Sequence, residues 1–251
     1  MTNVRPVQMD FGGVFRRPPP ATLALMVVTG VVSIVAMADI GFGTKGGLYR
    51  ALSFAPAQLF ALKLWTPFTY LFLQLHPLSL ILYEALVLWM FAAPLERAWG
   101  QQRFLFYFFA TGVGAALLVT GLALLVPGIS AGMPEGTFVA GEAVVLAWVL
   151  MNWHATVYLF VIPVRAPVLL VLSLGIPALN ALMGQWQPFV APVLAMGIGY
   201  LLLKRGLSPR RAWLHLRAWW IDKQLKRRSR HLQVVPPPER DREPKKPTYL
   251  N

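Results

Sequence analysis

Leu95-Glu96-Arg97-Ala98-Trp99-Gly100, followed by Arg103-Phe104-Leu105 and Tyr107, is a short polar turn set between two long apolar runs. Leu78 to Pro94 leads into it, and Phe104 to Val126 leads out and stops at Pro127-Gly128. A helix that crosses the hydrocarbon core needs about 20 mostly apolar residues. Two such runs joined by a charged turn with a glycine stop read as a pair of antiparallel membrane spans.

The composition extends this reading to the whole chain. Of 251 residues, 57% are hydrophobic and only 13% are charged, and the mean hydropathy is +0.56. A soluble domain carries about 25% charge, and one of this size has no core large enough to bury so much apolar surface. An ordinary soluble enzyme and a disordered chain are both excluded. With no cysteine, disulfides, thiolate catalysis, zinc–thiolate sites and iron–sulfur clusters are excluded as well. No cofactor or metal is expected.

Outward from the turn, four further apolar segments qualify. Thr22 to Ala38 is entered through Pro18-Pro19-Pro20, and it reads as an uncleaved anchor rather than a signal peptide. Thr137 to Met151 ends at Asn152-Trp153-His154. Ala166 to Leu182 and Pro188 to Leu203 complete the set, the last stopping at Lys204-Arg205-Gly206. Between the first two spans, residues 41–75 carry Lys45, Arg50, Lys63 and Trp65 without a clean apolar run. They read as a half-submerged loop with short interfacial helices. Val157 to Pro163, bracketed by Pro163 and Pro167, reads as an interfacial connector, because proline breaks the helix ladder.

The expected architecture is all-α, a polytopic bundle of six transmembrane helices. Residues 1–21 form a cytoplasmic N-terminal segment, 22–204 the six-span domain, 205–235 a basic amphipathic interfacial helix and 236–251 a disordered Pro-rich tail. A five-span reading merges the short fourth span with its connector. Six spans place both termini on one side, whose segments hold 20 of the 23 Lys and Arg. By the positive-inside rule that side is the cytoplasm. Fourteen of the 23 lie from Lys204 onward. The tail also carries Trp213, Leu216 and Trp220 at helical spacing, so it reads as a helix on an anionic leaflet rather than a nucleic-acid binder. Arg outnumbers Lys and Ala is abundant, which points to a GC-rich bacterium and its inner membrane.

Small residues let helix backbones approach closely in lipid. Ala191, Ala195 and Gly199 share one face of the sixth span, and Ala143 and Ala147, below Ala140-Gly141, share one face of the fourth. This spacing allows the fourth and sixth spans to pack closely. The plainer reading is that alanine is common in this chain.

Three stretches together resemble the rhomboid family. Trp65-Thr66-Pro67-Phe68-Thr69-Tyr70-Leu71-Phe72 is similar to the W-R-x-x-T-x-x-F loop of that domain. The turn at Glu96, Arg97, Gly100 and Arg103, with Tyr107, resembles its E-R-x-x-G-x-x-R-F-L-x-x-Y signature. Phe160-Val161-Ile162-Pro163-Val164-Arg165-Ala166 is similar to its connector into the fifth span. The resemblance covers Trp65 to Leu203 and implies a six-helix intramembrane serine protease fold. In that family a G-x-S-G serine opens the fourth span, a histidine on the sixth is the base, and H-x-x-x-N in the second helps hold the oxyanion.

Carried over residue by residue, each of these positions is degenerate here. Leu80 and Glu84 stand for the second-span His and Asn, Ala140 stands for the nucleophile and Val190 for the base. Thr66 replaces the loop arginine. The four histidines, His76, His154, His215 and His231, all lie outside the spans. Without a base a serine hydroxyl is a weak nucleophile. The resemblance therefore implies a pseudoprotease that recognises the transmembrane segments of client proteins.

Two alternatives remain at this level. An active protease with atypical residues would use Ser130 or Ser79; Gly128-Ile129-Ser130-Ala131-Gly132 spells G-x-S-x-G, but in a Pro-bounded loop where Ser and Gly are ordinary turn residues. A small proton-linked transporter would use Glu84 and Glu142, since an ionisable residue inside a span is a functional candidate by default. In the rhomboid arrangement both would face one polar cavity. The plainer reading gives Glu84 a backbone partner and Glu142 water.

Overall fold

The computed structural model describes residues 17–41, 46–125, 136–159, 162–183 and 187–206. The expected tail helix, the Pro-rich tail, most of the N-terminal segment and Ser130 lie outside them.

The chain opens with α1 (Pro20–Gly41). Three short helices follow, α2 (Gly47–Leu52), α3 (Pro56–Phe60) and α4 (Thr66–Thr69), the last running into a 3-10 turn at Tyr70–Phe72. Short helices were expected in this stretch. Then come α5 (Pro77–Trp99), α6 (Gln101–Leu125), α7 (Thr137–Met151), α8 (Ala166–Leu182) and α9 (Gln187–Arg205). Between α7 and α8, β1 (Thr156–Leu159) and β2 (Ile162–Arg165) form an antiparallel hairpin.

Six apolar helices thus stand where six spans were expected. Three of them, α1, α5 and α6, are long and apolar enough to cross a membrane. The other three have 15, 17 and 19 residues. At 1.5 Å per residue they rise only about 22, 26 and 28 Å, against about 30 Å of hydrocarbon. Among the described residues the fold is helical apart from the hairpin, which departs from the all-α expectation at the connector between α7 and α8. Pro163 and Pro167 break a helix, but Pro163 tolerates a two-stranded edge and the β-branched residues around it favour extended backbone.

The helix surfaces are those of a membrane protein turned polar side inward. On α1 the buried residues are Ala21, Thr22, Leu25, Thr29, Ser33 and Ala36, a narrow stripe of small and hydroxyl side chains. Its exposed face carries Val27, Val31 and Ile34, each more than half exposed. Such a surface suits the lipid of a bilayer.

At the centre stands α7, flanked by α5, α6, α8 and α9. Ala140, Ala143 and Ala147 of α7 and Ala195 of α9 are fully buried. A Cβ built on Gly199 would stand 3.5 Å from the Ala143 Cβ. The small-residue faces therefore do bring the fourth and sixth helices together.

Midway, α5 widens into a π-helical stretch, Tyr83–Ala92, that closes with the Ala93 N–H on the Leu88 carbonyl. The next residue, Pro94, has no N–H to continue an α ladder. The helix stops at Gly100, with φ 83° and ψ 157°, a region open essentially to glycine alone. Gly100→Ala is expected to cost about 1–3 kcal/mol through backbone strain, read as a lower unfolding midpoint in detergent. The position is otherwise unobstructed, since an added Cβ there meets nothing within 4 Å.

Candidate functional site

The turn after α5 supplies the best-defined buried polar site. Glu96 is buried. Its Oε1 accepts the Ala21 N–H at 2.9 Å, and its Oε2 accepts the Thr22 N–H and the Thr22 hydroxyl, each at 2.7 Å. The first turn of a helix leaves backbone N–H groups without intrahelical partners. Here Pro20 has none to offer, and the Leu23 N–H reaches the Pro19 carbonyl at 2.9 Å. That leaves the donors of Ala21 and Thr22, and Glu96 takes both. A carboxylate at the positive end of α1 also complements the helix dipole. Arg97 Nη2 donates to the Arg17 carbonyl at 3.4 Å, fastening the residues ahead of the helix. Arg103 is exposed at the start of α6. The signature turn is therefore a clasp on the first span.

The next signature residue is a second interhelical tie. Tyr107 of α6 is buried, and its hydroxyl donates to the Ala143 carbonyl of α7 at 2.7 Å. Gly199 of α9 faces the same hydroxyl, where a Cβ would collide with it.

The positions singled out by the rhomboid resemblance lie inside the bundle. Ala140 is fully buried near the start of α7, Leu80 is buried on α5, and Val190 is half-buried on α9. Gly141 allows close approach to α5; a Cβ there would lie 2.9 Å from Tyr83 Cε2 and 3.2 Å from Val87 Cγ1. His76 is exposed just before α5, and His154 is exposed just after α7. Gly141 lies against Tyr83 and Trp148 against Phe91, so α5 and α7 run parallel and these two histidines sit at opposite ends of the bundle. Among the described residues no histidine is hydrogen-bonded to a hydroxyl.

Glu84 and Glu142 face different neighbours. Glu84 Oε1 is buried without a hydrogen-bond partner and points at α1, where a Cβ on Gly30 would stand 3.0 Å away. Glu142 is buried on α7, with Oε2 also unpartnered, and its carboxyl lies near Ser173 of α8, whose hydroxyl donates to the Leu170 carbonyl at 3.3 Å. One carboxyl lies in the α1–α5 seam and the other in the α7–α8 seam.

A polar chain that sequence reasoning missed links the opposite ends of α1 and α7. The Ser33 hydroxyl donates to the Phe72 carbonyl, and the Gln74 N–H donates to Ser33 Oγ, both at 3.0 Å. The Thr137 hydroxyl donates to Gln74 Oε1 at 3.2 Å. The Gly136 N–H reaches the Tyr70 carbonyl at 3.0 Å, and the Tyr70 hydroxyl donates to the Gly112 carbonyl at 2.7 Å. The available signal was the hydroxyl stripe of α1, with Thr22, Thr29 and Ser33 at spacings of seven and four.

Comparison with known proteins gives one family. The model described as "Eukaryotic integral membrane protein (DUF1751)" matches residues 21–205, well over half of the chain. No curated protein and no solved structure matches it. The match spans the same region as the helices α1 to α9. Its description places the family in eukaryotes, which stands against the expectation of a bacterial inner membrane drawn from arginine and alanine usage. Codon composition biases residue usage in any GC-rich genome, so that signal does not separate the two.

Proposed function

Because the chain belongs to the DUF1751 family of integral membrane proteins, we propose that it is a rhomboid-like membrane protein without proteolytic activity, which recognises the transmembrane segments of client proteins. The observation that carries this reading is the methyl group of Ala140, fully buried where the resemblance calls for a nucleophile. Hydrolysis needs a hydroxyl within reach of an imidazole and donors aimed at the developing oxyanion. His76 and His154 lie at opposite ends of the bundle, and neither is in the helix that would carry the base.

Client recognition finds support in the arrangement around α7. α5 and α8 both pack on α7 and make no extensive contact with each other. Between them α7 presents Phe138, 41% exposed, and the unpartnered Glu142 carboxyl lies beside Ser173. A helix entering that seam from the lipid would gain van der Waals packing and a polar contact, the two forces that associate helices in bilayers. In this reading the end that collects Arg97, Arg103, Arg165, Lys204 and Arg205 faces the cytoplasm, and the basic tail rests on anionic lipid.

The test is photo-crosslinking from the lipid-facing sides of α5 and α8 in the native membrane. Probes at Ile81 and Val171, exposed at 64% and 71%, are expected to capture intact membrane proteins, and fluorophosphonate is expected to label nothing. Cleaved client fragments that depend on a serine of this chain would overturn the reading. A proton-linked flux in reconstituted vesicles that Glu84→Gln abolishes would replace it with the transporter reading, which the two unpartnered carboxyl oxygens favour.

A further inference from the structure

At the base of the hairpin between α7 and α8 lies a cleft of about 390 Å³ lined by Trp153, His154, Thr156, Arg165 and Pro167. Its chemistry is one-sided. Thr156 pairs directly with Arg165 across the hairpin, so the hydroxyl and the guanidinium stand on the same face. His154 adds two ring nitrogens. The cleft also opens at the first turn of α8, with Arg165 at its N-cap and Pro167 in the first turn, where the helix dipole is positive.

No described acid neutralises this charge. Asp39 accepts the Leu48 and Tyr49 N–H groups at 2.8 and 3.2 Å near α2. Glu96 is taken by α1, and Glu84 and Glu142 lie within their helices. Among the described residues neither Arg165 nor His154 has an ion-pair partner.

The surroundings say what kind of anion fits. Trp153, 49% exposed, stands at the end of α7, the depth at which tryptophan settles in a membrane interface. From the cleft, α8 presents Val168, Val171 and Leu172 outward at 44%, 71% and 53% exposure. That stripe would receive an acyl chain hanging from the same molecule.

We propose that this cleft is a binding site for a phosphate ester, held by Arg165 and His154 with Thr156 donating a hydroxyl, and that its source is the headgroup of an anionic phospholipid. Arginine recognises phosphate through two parallel N–H donors, and charge-assisted bonds of this kind are about twice as strong as neutral ones. None of these residues belongs to the basic tail, and the proposal is independent of the client-recognition reading.

The experiment uses the full chain in nanodiscs containing photoactivatable phosphatidylglycerol, with phosphatidylcholine of the same acyl chains and photogroup as the comparison. Adducts are mapped by peptide mass spectrometry. Phosphatidylglycerol is expected to label the peptides spanning residues 153–172 in preference to phosphatidylcholine. Arg165→Ala combined with His154→Ala is expected to cut that labelling about tenfold, and Thr156→Val to cut it less. Labelling of the segment 210–230 is the internal control and stays constant. Equal labelling by both lipids, or labelling of 153–172 unchanged in the double variant, overturns the proposal. Competition with millimolar glycerol phosphate separates the sources. Persistence of the adduct supports the lipid headgroup; its loss overturns the lipid assignment and gives the site to a soluble phosphate ester.

Discussion

Glu96→Ala is expected to destabilise the membrane domain by about 3 kcal/mol or more, the largest effect of any single side-chain truncation outside the apolar core. The substitution strands the Ala21 and Thr22 N–H groups and the Thr22 hydroxyl, all buried. Because Glu96, Ala21 and Thr22 are all buried, the truncation leaves donors without the acceptor the fold supplies. The graded variants test the mechanism. Glu96→Gln keeps one oxygen for Thr22 but turns an NH2 toward the Ala21 N–H, so an intermediate loss is expected. Thr22→Val removes one bond of the three and is expected to cost about 1 kcal/mol. Unfolding midpoints in detergent check the series. If Glu96→Ala unfolds no earlier than Thr22→Val, the clasp is not what holds α1.

The second large effect concerns the contact of three helices at Gly199. Gly199→Ala places a methyl against the Tyr107 hydroxyl. Either the tyrosine moves and its bond to the Ala143 carbonyl breaks, or α9 shifts away from α6 and α7. Overpacking of this kind costs about 1–3 kcal/mol. Tyr107→Phe alone loses one interhelical hydrogen bond, worth about 0.6–1.7 kcal/mol in a bilayer. Because the phenylalanine variant removes the atom that the new methyl meets, the two changes are not additive. The double variant is expected to be more stable than the sum of the single losses predicts. Strict additivity in a double-mutant cycle would show that Gly199 and Tyr107 do not share this contact.

How far the sequence carried the structure differs from element to element. The apolar runs located six apolar helices, of which α1, α5 and α6 are long enough to cross a membrane, since a helix in lipid must be continuous to satisfy its backbone. The faces of Ala143, Ala147, Ala191, Ala195 and Gly199 allowed close packing of the fourth and sixth helices, and the structure brings Gly199 against Ala143. The hairpin is not legible in the sequence, because Pro163 and Pro167 read as helix breakers while the pairing of Thr156 with Arg165 depends on a partner strand. Glu96 was legible as part of a signature, but not as a cap on α1, because its acceptor role is defined by backbone donors far away in the chain. The expectation that Glu84 and Glu142 share a pocket rested on a borrowed arrangement. Which neighbour each meets, Gly30 in one case and Ser173 in the other, depends on helix rotation, and an apolar helix with little amphipathic contrast does not reveal its rotation.

The clasp at Glu96 also sets an order of events during synthesis. Ala21 and its acceptor are 75 residues apart in the chain, which a ribosome working at about 5–20 residues per second covers in roughly 4–15 s. For the part of that interval that follows Gly41, the last residue of α1, the first helix is already made while the carboxylate that completes its amino end has not yet been translated. The nascent helix must keep those two amides hydrated at the bilayer surface, or shielded by the insertion machinery, until the α5–α6 reversal emerges to lock it in place.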